Sequence, residues 1–271
     1  MTRFIVVPQW QGSASSRAMQ LIDGAEALAG DLPRPRTVVV DVPMEAGEAL
    51  DTGVLRASSL RRIRAQLDAA LELSAEPVLT VGGDAGVAPA AIAHAAARCS
   101  RLAVLWVAAH PALHDPSSSP SGAFETMALG AVLGRTDAGL GLAPGTVAPE
   151  RVLLAAARAA DAAEETVAAT LGIRSFMIPG DTDGLLAALS GVDADGLYVH
   201  VDVAALDPSA VTGMVRPVPF GPSVTELTAA VAGARERVPL VGASLSGYSP
   251  ASAAVATDDL GPLLRIVGAL A

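Results

Sequence analysis

The sequence predicts an α/β fold: a three-layer α/β/α sandwich with a mostly parallel sheet of about eight strands. Three observations predict it. Short, unbroken apolar runs rich in Val, Leu and Ile recur along the 271 residues, as strands buried on both faces do. Between most of them lie Ala/Leu/Arg segments at helical spacing, and such alternation gives parallel strands with helices on both faces. Right-handed crossovers then bring all strand carboxyl ends to one edge, where ligands bind in open sheets. The run Leu102 to Ala109 ends at that edge in His110-Pro111.

In chain order, strand patterns fall near residues 3–8, 36–42, 77–82, 101–108, 151–156, 174–178, 196–203 and 239–245. Helical spacing is clearest at 14–28, 55–73, 88–98, 159–171, 224–237 and 258–270. Thr257 is the expected N-cap of the last helix, with Asp258 and Asp259 in its first turn, where carboxylates suit the helix dipole. The Pro/Ser segment 116–122 and the Gly/Pro segments 139–149 and 213–222 read as loops on the site edge, and long loops within a compact fold are commonly functional. No repeat and no linker divides the chain, so residues 1–271 read as one domain.

Composition narrows the function classes. A net charge of −10, with Arg spread mostly singly along the chain, argues against nucleic acid as a partner. No apolar run approaches the ~18 residues of a membrane span, and the opening Thr2-Arg3-Phe4-Ile5 is already strand-like rather than a signal peptide. The single cysteine, Cys99, excludes an internal disulfide framework, and together these features give an expected cytoplasmic location. All 18 basic residues are Arg, which removes lysine Schiff-base and lysine general-base chemistry.

Five stretches at predicted strand ends and loops carry recognisable signatures. They are Val81-Gly82-Gly83-Asp84-Ala85-Gly86, the stretch Leu102 to Asp115 with its Ala108-Ala109-His110-Pro111-Ala112-Leu113-His114-Asp115 end, Ser121-Gly122-Ala123-Phe124-Glu125-Thr126-Met127-Ala128-Leu129, Val199-His200-Val201-Asp202-Val203-Ala204-Ala205-Leu206-Asp207-Pro208, and Gly242-Ala243-Ser244-Leu245-Ser246-Gly247-Tyr248-Ser249-Pro250. A glycine pair after a strand permits a tight turn and close backbone approach. His200 and Asp202, two apart on one strand, share a face.

In this order and spacing the five stretches resemble the ureohydrolase family of arginases and agmatinases. The resemblance implies a three-layer fold and a pair of manganese ions that hydrolyse guanidinium groups to urea. The likeness holds at scaffold positions such as Asp84, Trp106, Gly122, Met127, Asp207 and Pro208. It fails at the ligands. Of the six metal-ligand positions the family implies, His110 and Asp202 remain, whereas Ala85, Ala108, Ala112 and Ala204 occupy the other four. Glu125 stands where the family has its proton-handling His, and Gly247 where it has its substrate-binding Glu. Two adjacent divalent ions need several anionic ligands to offset their repulsion and replace lost water, so the expectation is that no cofactor is bound. Replacing carboxylates by alanine also leaves the pocket less charged and, on this reading, roomier.

Two readings follow. The first is a catalytically silent ureohydrolase homologue, a pseudoenzyme that acts by binding a small molecule or by assembling with copies of itself or an active paralogue. Pocket candidates are Asp84, Ala85, His114 and Gly247. The second is an enzyme of altered chemistry, a hydrolase or lyase acting on a guanidino or amide compound. It would use one metal on His110, His200 and Asp202, or an acid/base set of His110, Asp202, Glu125 and His200 without metal. His114 and Asp115 read as a solvated loop, Arg216 as a charge able to meet an anion, and Asp202 as a buried carboxylate that needs a donor such as His110 or His200.

Overall fold

The computed structural model describes residues 2–137 and 139–271, so Met1 at the head of the first strand pattern lies outside it. All eight expected strands form: β1 Arg3–Val7, β2 Thr37–Val39, β3 Val78–Gly82, β4 Leu102–Val107, β5 Val152–Ala155, β6 Arg174–Phe176, β7 Gly196–Asp202 and β8 Leu240–Ser246. They make one sheet in the order β2-β1-β3-β8-β7-β4-β5-β6, with every pairing parallel. The four central strands β3, β8, β7 and β4 are the ones whose carboxyl ends carry the sequence signatures.

Alternation along a strand explains the layers. In β4, Ala103, Leu105 and Val107 face one apolar cluster, while Val104 and Trp106 face another. The first cluster is closed by α1 Gln20–Asp31, α6 Thr182–Ser190, α7 Val224–Arg237 and α8 Ala253–Leu270. On the opposite face lie α2 Ala57–Glu72, α3 Ala88–Ala96, α4 Ala128–Val132 and α5 Ala162–Leu171. Among the described residues no helix is long and apolar enough to cross a membrane.

The helix expectations need three corrections. α1 starts at Gln20, not 14, because the Trp10–Ser15 backbone is drawn into the site edge: Asp84 accepts from Gly12 N at 2.8 Å and Arg56 donates to the Ser13 carbonyl at 2.6 Å. α8 is capped by Ser252, whose hydroxyl accepts from Val255 N, so Thr257 lies inside the helix and donates to the Ala253 carbonyl. Asp259 is therefore no first-turn carboxylate. It is buried and accepts from Thr212 N at 3.0 Å and Gly213 N at 2.8 Å, fixing the start of the 213–222 loop. Finally, α4 and α6 form in segments too short for a clear apolar period, α6 being held by its buried Leu185 and Leu189.

Candidate functional site

The glycine pair after β3 makes the first wall of the site. A Cβ on Gly83 would run into the Gln9 carbonyl oxygen, so the chain can pass there only as glycine. The turn sets Asp84 inside, where its carboxylate accepts from Gln9 Nε2 at 2.8 Å, Gly12 N at 2.8 Å and Gly86 N at 2.7 Å. Burial pushes its pKa up to about 6 against the pull of those bonds and of Arg56. With its acceptors taken up by three donors, Asp84 clasps the β1–α1 loop to the β3 end and is a poor ligand for anything else.

Three neighbouring strands supply the floor. The register pairs Trp106 of β4 with His200 of β7, and His200 with Ser244 of β8. The imidazole of His200 stacks on the Trp106 ring with centroids 3.8 Å apart and planes at 30°, and its Nδ1 lies 2.8 Å from the Ser244 hydroxyl. Fully buried, His200 is pushed down to about 3, so it is neutral at neutral pH. The stack was not legible in the sequence, because only strand register reveals that Trp106 and His200 are neighbours.

Two residues beyond, Asp202 is partly buried at the strand end, and its desolvation raises its pKa. Its expected donors were His110 or His200; the actual donor is its own turn, through Ala204 N at 2.8 Å. A carboxylate at a strand end finds the free N–H two residues ahead more readily than a side chain on a neighbouring strand. His110 is engaged elsewhere: its Nδ1 donates to the Ala159 carbonyl at 3.0 Å. A carbonyl only accepts, so Nδ1 carries the proton and the Nε2 lone pair faces the cavity, where it has no protein partner. Burial, and then the nearby Arg216 charge, lower the His110 pKa.

Glu125 closes one side. It lies in a short turn, Phe124–Thr126, ahead of the five-residue α4, so little helix dipole acts on its carboxylate. Its N–H donates to the Gly12 carbonyl at 3.0 Å. Burial drives the carboxyl up to about 7 despite the opposing Arg216 charge and a hydrogen bond with Ser13. Arg216, on the 213–222 loop, places a guanidinium nitrogen 3.6 Å from Glu125 Oε1. The sequence reading gave it an external anion; the structure gives it an internal one.

These groups line one pocket, and Ala85, Ala108, Ala112, Ala204 and Gly247 line it with them. The pocket is not roomy: its cavity volume is about 40 Å³, enough for about three waters at ~10–15 Å³ each. The Trp106–His200 stack and the Arg216 side chain line it beside the small residues. Gly247 has φ +87°, and a Cβ there would meet Asp202 Oδ1 at 2.6 Å, so any side chain at this position would collide with the carboxylate.

His114 is corrected in both place and role. It lies outside this pocket, buried, with Nε2 3.2 Å from Asp161 Oδ2 and Nδ1 3.3 Å from the Ser118 hydroxyl. Asp115 is likewise paired, with Arg135 at 2.6 Å. An adjoining cavity runs from His114, Asp161 and Glu164 to His110 and Arg216. Among the described residues, His114, Asp161 and Glu164 are the set of three whose ligand atoms converge as a metal needs; the expected His110, His200 and Asp202 do not. Yet Asp161 and Glu164 already form the capping box of α5, at a helix end whose dipole opposes a cation.

Comparison with known proteins follows this geometry. A family model described as "Arginase family" matches residues 17–262. The arginase of Bacillus caldovelox is 29% identical over 197 residues, covering 66% of this chain and 65% of that one. The arginase of Bacillus subtilis (strain 168) is 31% identical over 158 residues, covering 55% and 53%. The chain thus spans between about half and two thirds of the length of the curated relatives it matches. Among solved structures, an Entamoeba histolytica arginase in complex with L-ornithine superposes with TM-score 0.84 at 19% identity, over 98% of both chains. A Bacillus subtilis arginase gives TM-score 0.85 at 22% identity, over 100% of this chain and 98% of that one. At these identities the superpositions speak for the fold, and the match over most of the chain speaks for descent: this protein belongs to the arginase family.

Proposed function

We propose that this chain is a catalytically silent member of the arginase family that acts by binding. The observation that carries the reading is that Ala85, Ala108, Ala112 and Ala204 line the same small pocket as His110 and Asp202. At the family's ligand positions a manganese pair would find the His110 imidazole and the Asp202 carboxylate; of the other donors in the pocket, Glu125 is paired with Arg216, His200 is stacked on Trp106 and Asp84 is already bonded to three donors. Two dications at close range need several anionic ligands, and this donor set does not fit them. The binding role is met either by a small molecule reaching the pocket through the adjoining cavity or by a subunit of the same family, a second copy or an active paralogue.

The test is elemental analysis of protein purified without chelator, together with urea release from guanidino substrates in added Mn²⁺. Near-zero metal and no urea support the reading; two ions per chain, or urea formation, overturn it.

One observation favours a second reading. Glu125, raised to about 7, and His110, whose pKa is lowered and whose Nε2 has no protein partner, line one cavity, and a carboxyl that titrates near neutrality beside a neutral imidazole suits proton transfer without metal. On that reading His110→Ala and Asp202→Ala each abolish an activity while the chain stays folded; unchanged activity in both variants removes it.

A further inference from the structure

The 213–222 loop is a strap bound down on both sides of Arg216. On the near side Gly213 N donates to Asp259 at 2.8 Å, Met214 bridges to Tyr248, and the Arg17 guanidinium reaches the Met214 and Val215 carbonyls at 3.3 and 3.2 Å. On the far side Arg158 donates to the Val218 carbonyl at 2.6 Å and the Pro219 carbonyl at 2.8 Å, and Phe220 N donates to Asp207 at 2.8 Å. Pro217 and Pro219 stiffen what lies between. A backbone so fixed leaves Arg216 few directions, and its guanidinium goes to the pocket.

Arg216 is the one arginine among the pocket's lining residues, which also include the carboxylates of Glu125, Asp202 and Asp84. Asp84 spends its charge on its three donors. Glu125 and Asp202 do not, and both feel the Arg216 charge. Buried carboxylates without a countercharge are costly, and the strap supplies one from within the chain.

We propose that the Arg216 guanidinium is the pocket's resident cation, a tethered stopper that holds the space beside Glu125 and Asp202 and keeps free small cations out. The pocket is thus closed by the protein's own side chain, and a ligand must either displace Arg216 or bind in the adjoining cavity, which Arg216 also lines. The inference rests on the reading that no metal pair occupies this pocket. The two fail separately, since metal analysis and urea release test that reading and cation uptake tests the stopper.

The experiment uses the intact chain and free guanidinium as probe, in the low-millimolar range and at fixed ionic strength with sodium as control. Uptake is read by isothermal calorimetry and by the shift of the melting midpoint. Arg216→Ala and Arg216→Gln are compared with the wild type; the Arg216 side chain is 45% exposed, so either variant folds. Both should bind guanidinium at least about tenfold more tightly than the wild type, a difference of about 1.4 kcal/mol. Both should also gain melting temperature from it where the wild type does not. Adding Glu125→Gln to either variant should abolish the uptake. Equal binding by wild type and variants, or no binding by any of them, overturns the proposal.

Discussion

Replacing Glu125 by glutamine removes a carboxylate that the fold makes hard to ionise. Its pKa rises from the ordinary 4.5 to about 7, chiefly by burial. The sign follows from proton linkage. Below pH 4.5 the group is protonated in the folded and unfolded chain alike, and folding loses nothing. Between 4.5 and about 7 the folded chain holds a proton that the unfolded chain releases, so stability falls as pH rises. Above about 7 both states are charged and the full penalty stands. A shift from 4.5 to about 7 is about 2.5 units, or about 3 kcal/mol at 1.36 kcal/mol each. That shift is already net of the Arg216 attraction, which lowers it. The expected net effect is therefore a variant about 2–3 kcal/mol more stable than the wild type at pH 8, with a much smaller difference at pH 4. Asp84, raised to about 6, adds a slope to both proteins, and its repulsion of Glu125 is part of the penalty the variant removes. Urea unfolding midpoints at half-unit steps from pH 4 to 8.5 decide it. A difference that does not change with pH, or a variant less stable at pH 8, would refute the reasoning.

Three further outcomes are expected. Arg158→Ala strips bonds from the carbonyls of Ala156, Ala204, Ala205, Leu206, Val218 and Pro219. It should cost roughly 2–4 kcal/mol in denaturant melts and speed hydrogen exchange at 213–222. Gly83→Ala drives a Cβ into the Gln9 carbonyl and should destabilise by more than about 3 kcal/mol, lowering the melting midpoint or the soluble yield. Ala108→Asp with Ala204→Asp crowds two carboxylates beside Asp202. By differential scanning calorimetry in chelator, this double variant should melt below the wild type at pH 8, recover at pH 5, and gain stability from Mn²⁺.

The fold was legible because its signal is redundant. The central strands are apolar runs bounded by turn residues, while the edge strand β6, Arg174–Phe176, is mostly exposed, and boundary errors of a residue or two do not change the class of structure. Element starts were less legible. Thr257 and Ser252 are both plausible caps by composition; the helix starts after Ser252, which makes Asp259, second in the expected helix, a residue of its second turn, where it holds Thr212 and Gly213. A carboxylate's partner 47 positions away in sequence leaves no periodic trace.

The site divides in the same way. By itself the sequence determined which side chains stand at the strand ends: His110, Asp202, Glu125 and the four alanines are matters of identity at motif positions, and topology brings strand ends together whatever the details. What only the tertiary structure decided is what those groups touch. Asp202 takes its own turn's N–H instead of a histidine, His114 goes to Asp161, His200 lies flat on Trp106, and Arg216 turns inward onto Glu125. Hydrogen bonds and charge pairs act within about 4 Å and depend on orientation, so they are fixed by strand register and by the path of a loop, which sequence spacing does not encode.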